Sequence, residues 1–448
     1  MKILLCSQYY GDDSVFHTCA RVFPLGMAYV ASMLKGHEVS VFDANVVRDP
    51  LDVLSRRLHD ERPEAVGISL RNMDFLNNTR FGKSPSFYPQ FRKMLRLIRG
   101  ELPSCKIVVG GPGFSVFSKE IMSENREIDF GVVSDGETTF ANLARDIDHP
   151  ERVRNLLVQN KAGIAFTGVK EPAIFDLLPS PARELFDVSE YKKTPYSLNV
   201  QSKRGCAYSC TYCTDPFLGN YILQLRSASK VVDEIEELVN NYGVKSFWFA
   251  DPIFNRPPQH GSAICTEIRK RNLDVQWHAY FREDLLNIRL MREAVDAGCT
   301  SFEFHSDGAC DPVLSLLGKQ IKIADIERTI DMACQVEGAH VGYTFFYDLP
   351  RRNLGNILAL TKFWAKATFR CKRKLGYLST TRMRIYPHTR LCEVAVSEGK
   401  ISPEANMLTP IFYGSNSKSA RWIQDFLTLV FQESPSLLKR ILNKAERN

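Results

Sequence analysis

No stretch of the chain approaches the roughly 18 consecutive apolar residues that a membrane-spanning helix needs, so a membrane span is not expected. The first residues hold a short apolar run without a small-residue cleavage site, and they read as a buried strand rather than a secretory signal. There is no internal repeat, which excludes solenoids and propellers, and no low-complexity tract. An excess of one charge sign is nearly missing too. A net +7 over 448 residues is too mild to predict nucleic-acid binding. What excess there is concentrates at Lys362, Lys366, Arg370, Lys372, Arg373, Lys374, Arg382 and Arg384, with no acidic residue between them. That run is either a solvated basic face or a patch for an acidic electron-donor protein or a phosphorylated substrate.

The 12 cysteines are unevenly placed in a long chain, which argues for a reducing, cytoplasmic compartment rather than a disulfide framework. Nine of them, including Cys6, Cys105, Cys265, Cys299 and Cys334, fall in apolar patterns and read as small buried hydrophobes. The remaining three, Cys206, Cys210 and Cys213, stand within one short segment.

Single cores stop growing near ~250–300 residues, so a chain of 448 residues divides into domains. Short β-branched apolar runs at 2–7, 38–42, 65–70, 106–110 and 128–133 alternate with helical patterns at 24–34, 50–61, 88–101 and 136–146. This alternation predicts a doubly wound parallel sheet over residues 1–150, with its ligand site beyond the carboxyl ends of the strands. Residues 151–195, interrupted by Pro172, Pro179, Pro181 and Pro195, read as an extended linker. Over 196–390, six strand–helix units, with strands near 197–203, 245–250, 274–278, 300–305, 341–345 and 378–384, predict a partial (β/α)6 barrel whose chemistry lies in the loops after the strands. A C-terminal region, 391–448, ends in a helix over 418–444.

The segment Arg204-Gly205-Cys206-Ala207-Tyr208-Ser209-Cys210-Thr211-Tyr212-Cys213 directly follows the first barrel strand. Three thiolates on one loop ligate three irons of a 4Fe-4S cubane and leave the fourth open to a chelating ligand. A zinc site would pair such cysteines with a second Cys or His pair, and none stands nearby. Gly205 lets the loop turn off the strand, and Tyr212 can lay its ring beside a nucleoside.

This motif resembles that of the radical S-adenosylmethionine (SAM) superfamily. The resemblance implies that the open iron chelates SAM, and that one electron cleaves it to a 5′-deoxyadenosyl radical. It extends to Asp251 after the second strand, where the family contacts the SAM amino group, and to Arg282 after the third. It also covers Phe302 to Gly308, where Asp307 is the candidate for the SAM ribose and His305 stands in place of a glycine. Several N-terminal segments are similar to the cobalamin (B12)-binding subgroup: Phe23 to Tyr29, Val66 to Asp74 with Ser69, Gly110-Gly111-Pro112-Gly113, and Ser134 to Thr138. So are Tyr386-Pro387-His388-Thr389, with His388 for glycine, and the run from Leu408 to Tyr413.

The implied fold is therefore α/β. A Rossmann-like, B12-binding-type sheet would precede a radical SAM barrel, with cobalamin near Ser69, Gly110, Gly111 and Gly113. Read alone, those glycines support tight turns equally well. The Asp-x-His-x-x-Gly pattern of cobalt-ligating domains is broken, because Asn45 follows Asp43 where the histidine would stand, and an amide is a poor cobalt ligand.

The leading expectation is cobalamin-dependent methylation of an unactivated centre in a biosynthetic intermediate, with flavodoxin or ferredoxin as electron donor. A second is radical dehydration, deoxygenation, cyclisation or ring rearrangement without methyl transfer. A third, a cobalamin-responsive regulatory protein, is opposed by the intact cysteine triplet. His305, Tyr280 and Glu303 are the catalytic candidates at the strand ends, with His278 and Tyr343 also near them.

Overall fold

The structure, a computed structural model, describes residues 1–11, 21–74, 86–161, 163–168, 173–219, 222–346, 349, 354–371 and 374–414. The helix expected over 418–444 lies outside them, as do Pro172, Lys372 and Arg373. Among the described residues no helix is long and apolar enough to cross a membrane.

Two parallel sheets build the molecule. The first holds β1 (Lys2–Ser7), β2 (Glu38–Phe42), β3 (Ala65–Ser69), β4 (Lys106–Gly110), β5 (Phe130–Val132), β6 (Leu156–Asn160) and β7 (Gly163–Phe166), in the order β2-β1-β3-β4-β5-β6-β7. Strands β1 to β5 are parallel, and Val66, Ile107 and Val109 are fully buried, as strands covered on both faces require. Helices Leu25–Met33, Pro50–Glu61, Tyr88–Glu101 and Gly136–Arg145 supply the covers. The stretch expected to be an extended linker differs in its first half. β6 and β7 pair antiparallel and carry the sheet on to Phe166. The prolines that suggested a linker all lie beyond these strands, so they bound the sheet without interrupting it.

The second half opens with β8 (Asn199–Val200), then the small antiparallel pair β9 (Lys203–Arg204) and β10 (Gln224–Leu225). β11 (Ser246–Phe249), β12 (Gln276–Phe281), β13 (Cys299–Asp307), β14 (Val341–Phe346) and β15 (Leu375–Thr381) complete a six-stranded parallel sheet in strictly sequential order from β8. This is the partial barrel. Phe247, Phe249, Trp277, Phe302, Phe304, Tyr343 and Phe345 alternate along the strands toward the helices and are fully buried. Trp248, His278, Tyr280, Glu303 and His305 occupy the opposite face. β16 (Met383–Arg384) and β17 (Phe412–Tyr413) form a last antiparallel pair. Arg384 there is buried in an ion pair with Asp74 at 2.6 Å, fastening this segment to the loop after β3.

Much of the basic run is not a free patch. Lys366 pairs with Glu327 at 2.8 Å, Arg370 pairs with Asp331 at 2.6 Å, and Lys374 donates to the carbonyls of Ala333 and Val336. Among the other cysteines, Cys334 is exposed and Cys310 and Cys392 are half-buried, so the buried-hydrophobe reading fails for these three. Cys334 sits on the outer face of its helix, where its thiol reaches the carbonyl of Arg370 at 3.3 Å.

Candidate functional site

The carboxyl ends of both sheets face one cavity of about 700 Å³. In the first sheet the order β2-β1-β3 reverses direction beside β1, and a crevice opens there between the loops after β1 and β3. Ser7, Gln8, Asn45, Ser69, Gly110 and Ser134 line this side. From the barrel come Cys206, Cys210, Cys213, Tyr212, Tyr280 and His305.

The cysteine loop is held from three directions. Gly205 has φ +76°, and a Cβ on it would stand 1.9 Å from the carbonyl oxygen of Ile222, so only glycine fits. Asp251, at the end of β11, accepts hydrogen bonds from the Ser202 amide at 2.7 Å, the Lys203 amide at 3.1 Å and the Ser202 hydroxyl. Its carboxylate is thereby consumed in shaping the approach to the loop. Lys203 is buried, donates to the carbonyls of Phe254 and Arg256, and has its ammonium pushed down to about 8 by burial against the opposing pull of Asp251. Arg204 joins the loop to the other sheet through Glu137 at 2.7 Å and Asp135 at 3.5 Å.

Within the loop, the rings are braced by cations. The guanidinium carbons of Arg282 and Arg256 lie 3.7 and 3.9 Å from the ring centroid of Tyr208. Tyr212 donates its hydroxyl to Asp307 and meets the ring of Phe346 edge-on at 4.9 Å. Asp307 also pairs with Lys319 at 2.8 Å. Burial alone would lower the Lys319 ammonium, but Asp307 and Glu283 outweigh it and hold it above its usual range. Burial raises all three loop thiols, and Cys206 and Cys210 each raise Cys213 further, so the three sulfurs lie within electrostatic reach of one another. Among the described residues no three His, Cys, Asp or Glu side chains converge on a single ion. A cubane asks for something else, since each thiolate ligates a different iron. Three cysteines opening on one cavity, with no fourth lining it among the described residues, are a donor set that fits it.

The barrel wall adds His305 and Tyr280, whose ring centroids are 4.6 Å apart. The His305 side chain is exposed on the cavity wall, and partial loss of hydration among the groups around it keeps its imidazole below the ordinary range and so neutral near pH 7. The strand bulges between His305 and Asp307, where the glycine-bearing pattern would have run on, and Asp307 takes φ +65°. His388, the other replacement for glycine, sits at φ +63° and stacks on Phe217 at 4.2 Å.

Not every expected residue reaches the cavity. Glu303 lies behind Tyr280 in the barrel wall, and Asp307 is turned toward Lys319. Tyr343 faces the helices, where it shares a hydrogen bond of 2.7 Å with Thr329. Gly113 is buried against the loop after β3, 3.1 Å from the Leu70 carbonyl oxygen for an added Cβ. At Gly111 that distance is 2.5 Å, with φ +95°. Both glycines therefore answer to the neighbouring backbone, the tight-turn reading, while Gly110 and Gly111 still border the cavity. Tyr208, Arg256, Lys319 and Arg204 were missed. Tyr208 and Arg204 stood inside the quoted motif, whereas Arg256 and Lys319 belong to loops with no local signal.

Residues 18–144 match the B12 binding domain family. The chain is 24% identical to an uncharacterized methyltransferase of Pyrococcus horikoshii, over 84% of this chain and 78% of that protein. It is 23% identical to a cytidylyl-2-hydroxyethylphosphonate methyltransferase of Streptomyces wedmorensis, over 86% of this chain and 80% of that one. Its fold is similar to that of a radical SAM methyltransferase from Kitasatospora setae, solved with tryptophan substrate and a SAM analogue bound. The TM-score is 0.76 at 19% identity, covering 89% of this chain and 76% of the other.

Proposed function

We propose that the chain is a radical SAM enzyme of the cobalamin-binding subgroup and that it methylates an unactivated centre of a small biosynthetic intermediate. One observation carries the reading: the three cysteines open into the same cavity as Ser69, Gly110 and Asn45 of the B12-matched half. When bound, the cluster supplies the electron that cleaves SAM to a carbon-centred radical, and the corrinoid supplies a carrier for the methyl group.

The chain's own residues then have definite tasks. Cys206, Cys210 and Cys213 hold the cluster. Tyr212 and Arg282 border the SAM nucleoside and its charged end, with Tyr208 braced between Arg282 and Arg256. Asp251 and Asp307 act through others, the first by fixing the loop through Ser202 and the second by holding Tyr212 and Lys319. His305, neutral and facing the cavity, is placed to take a proton from substrate, and Tyr280 to steer it. Arg204 ties the cluster loop to Glu137, so the two cofactor halves keep one separation. We place the domain boundary after β7 rather than at residue 150, and take flavodoxin or ferredoxin as the electron donor.

A second reading, radical dehydration or cyclisation without methyl transfer, is favoured by Asn45. Its amide donates to Asp43 at 3.1 Å and Ser7 at 3.3 Å, and His305 is the one histidine among the described residues lining the cavity. Among its described residues the first half thus brings no imidazole to the cavity. Anaerobic incubation with cobalamin and SAM labelled in its methyl group separates the two. Label on the corrinoid supports methylation; complete SAM cleavage with an unlabelled corrinoid overturns it.

A further inference from the structure

The inner wall of the barrel carries a row of side chains that the cofactor reading leaves unused. Pairing sets Tyr280 on β12 opposite Glu303 on β13, Glu303 opposite Gly342 on β14, and Gly342 opposite Tyr377 on β15. The four share the strand face turned away from the helices. Gly342 puts no side chain at the middle of the row. A Cβ there would meet the Tyr377 ring at 2.4 Å and Glu303 Oε2 at 2.6 Å, so these two side chains converge over the glycine.

Glu303 is only 8% exposed. The Ser301 hydroxyl donates to its Oε1 at 2.5 Å, while the buried Oε2 makes no well-formed hydrogen bond and has the Tyr377 hydroxyl beside it. Buried carboxylate oxygens are normally satisfied, and an orphan calls for a missing donor. That donor is not a cation of the chain, because among the described residues no lysine or arginine pairs with Glu303. Burial accordingly holds its carboxyl above the ordinary range. Tyr280 at one end of the row borders the main cavity, and Tyr377 at the other end is 39% exposed. Glu303 itself does not line the cavity, so a ligand group reaches it along the row, from the Tyr280 end or from the exposed Tyr377 end.

A carboxylate with an underbonded oxygen, bordered by two electron-rich rings, is suited to an ammonium group, which offers charge, donors and affinity for ring faces together. We propose that Glu303, Tyr280 and Tyr377 form a subsite for a protonated amino group of the substrate, with Glu303 as its anionic partner. A neutral hydroxyl would satisfy the orphan oxygen but would leave the charge and the rings unused. The assignment deepens the reading of the cavity as a radical SAM site, on which it rests, by naming one end of the substrate.

The test is equilibrium binding to the anaerobic holoenzyme with two probes of matched shape, benzylamine and benzyl alcohol, by calorimetry at pH 7. Benzylamine should bind about tenfold more tightly, the order expected of a charge-assisted bond. Glu303→Gln should abolish that preference. Tyr377→Leu, at a position 39% exposed, should weaken benzylamine and spare benzyl alcohol. Equal affinities in the unaltered protein, an undiminished preference in Glu303→Gln, or equal weakening of both probes in Tyr377→Leu would overturn the proposal. Formation of 5′-deoxyadenosine by the same preparation is recorded in parallel, so a failure of the radical SAM reading registers there and not in the binding arm.

Discussion

Replacing Glu234 by alanine removes the one anion from a buried group that fastens three parts of the chain together. Glu234 lies on helix Ala228–Tyr242 and is 1% exposed. One of its oxygens accepts from Arg183 and the other from Arg226, while the Tyr29 hydroxyl donates to it at 3.1 Å. Tyr29 belongs to the first helix of the B12-matched half, Arg183 to the connector and Arg226 to the segment after β10. Burial alone would raise the Glu234 carboxyl, but the two guanidiniums outweigh it and hold it below its usual range. Without Glu234, Arg183 and Arg226, 1% and 3% exposed, would be stranded as buried charges. Breaking one buried pair costs about 3–5 kcal/mol. Two cations share one anion here, so a loss at the upper end of that range is expected. That is a large part of a folding margin of about 5–15 kcal/mol. Glu234→Gln, which keeps the shape and one acceptor, should lose about half as much. The assay is urea unfolding under anaerobic conditions, followed by tryptophan fluorescence, with the slope checked for loss of two-state behaviour. A cycle with Tyr29→Phe should show coupling of about 0.5–3 kcal/mol. A loss below about 1 kcal/mol for Glu234→Ala would refute the claim that this ion group docks the halves.

The other predictions follow from the same contacts. Gly111→Ala places a Cβ 2.5 Å from the Leu70 carbonyl oxygen at φ +95°, and thermal melting should register a loss of about 2 kcal/mol or more. An unchanged midpoint would show that the loop after β3 yields. His278 is pushed down to about 4 by burial, below the unfolded imidazole, so the unfolded chain takes up the proton first. Stability should therefore be full above about pH 6.5 and fall by up to about 3 kcal/mol as pH drops toward 4. His278→Phe, packed between Tyr196 and Trp248, should flatten that decline, and an identical decline in the variant would assign it elsewhere. Asp251→Asn should slow SAM cleavage at least ~10-fold by loosening the loop before Cys206, and cleavage at the original rate would separate Asp251 from the cluster.

The parallel strands were legible because each is a short apolar run, and the cysteine loop because its spacing has few other uses. Other features depend on distant partners. Nothing around Asp251 or Asp307 in sequence announces that Ser202, Tyr212 and Lys319 would engage them, so both were read as ligand contacts. Gly111 and Gly113 were ambiguous between ligand and turn, and it took the position of Leu70, some forty residues away, to decide. The strands after residue 150 were hidden by the prolines behind them. Cys334 looked buried because it stands beside the apolar Met332 and Ala333 of an amphipathic helix, whereas its own position is on the outer face. His305 was recognisable only as a departure from a pattern, and the bulge that follows it explains how the strand accommodates a side chain there.

The most direct measurement is production of 5′-deoxyadenosine by reconstituted, anaerobically reduced protein supplied with SAM. The account predicts formation by the unaltered chain and none by the triple variant Cys206→Ala, Cys210→Ala, Cys213→Ala. Equal formation by both, or none from a chain whose Mössbauer spectrum shows a complete cubane, would contradict it.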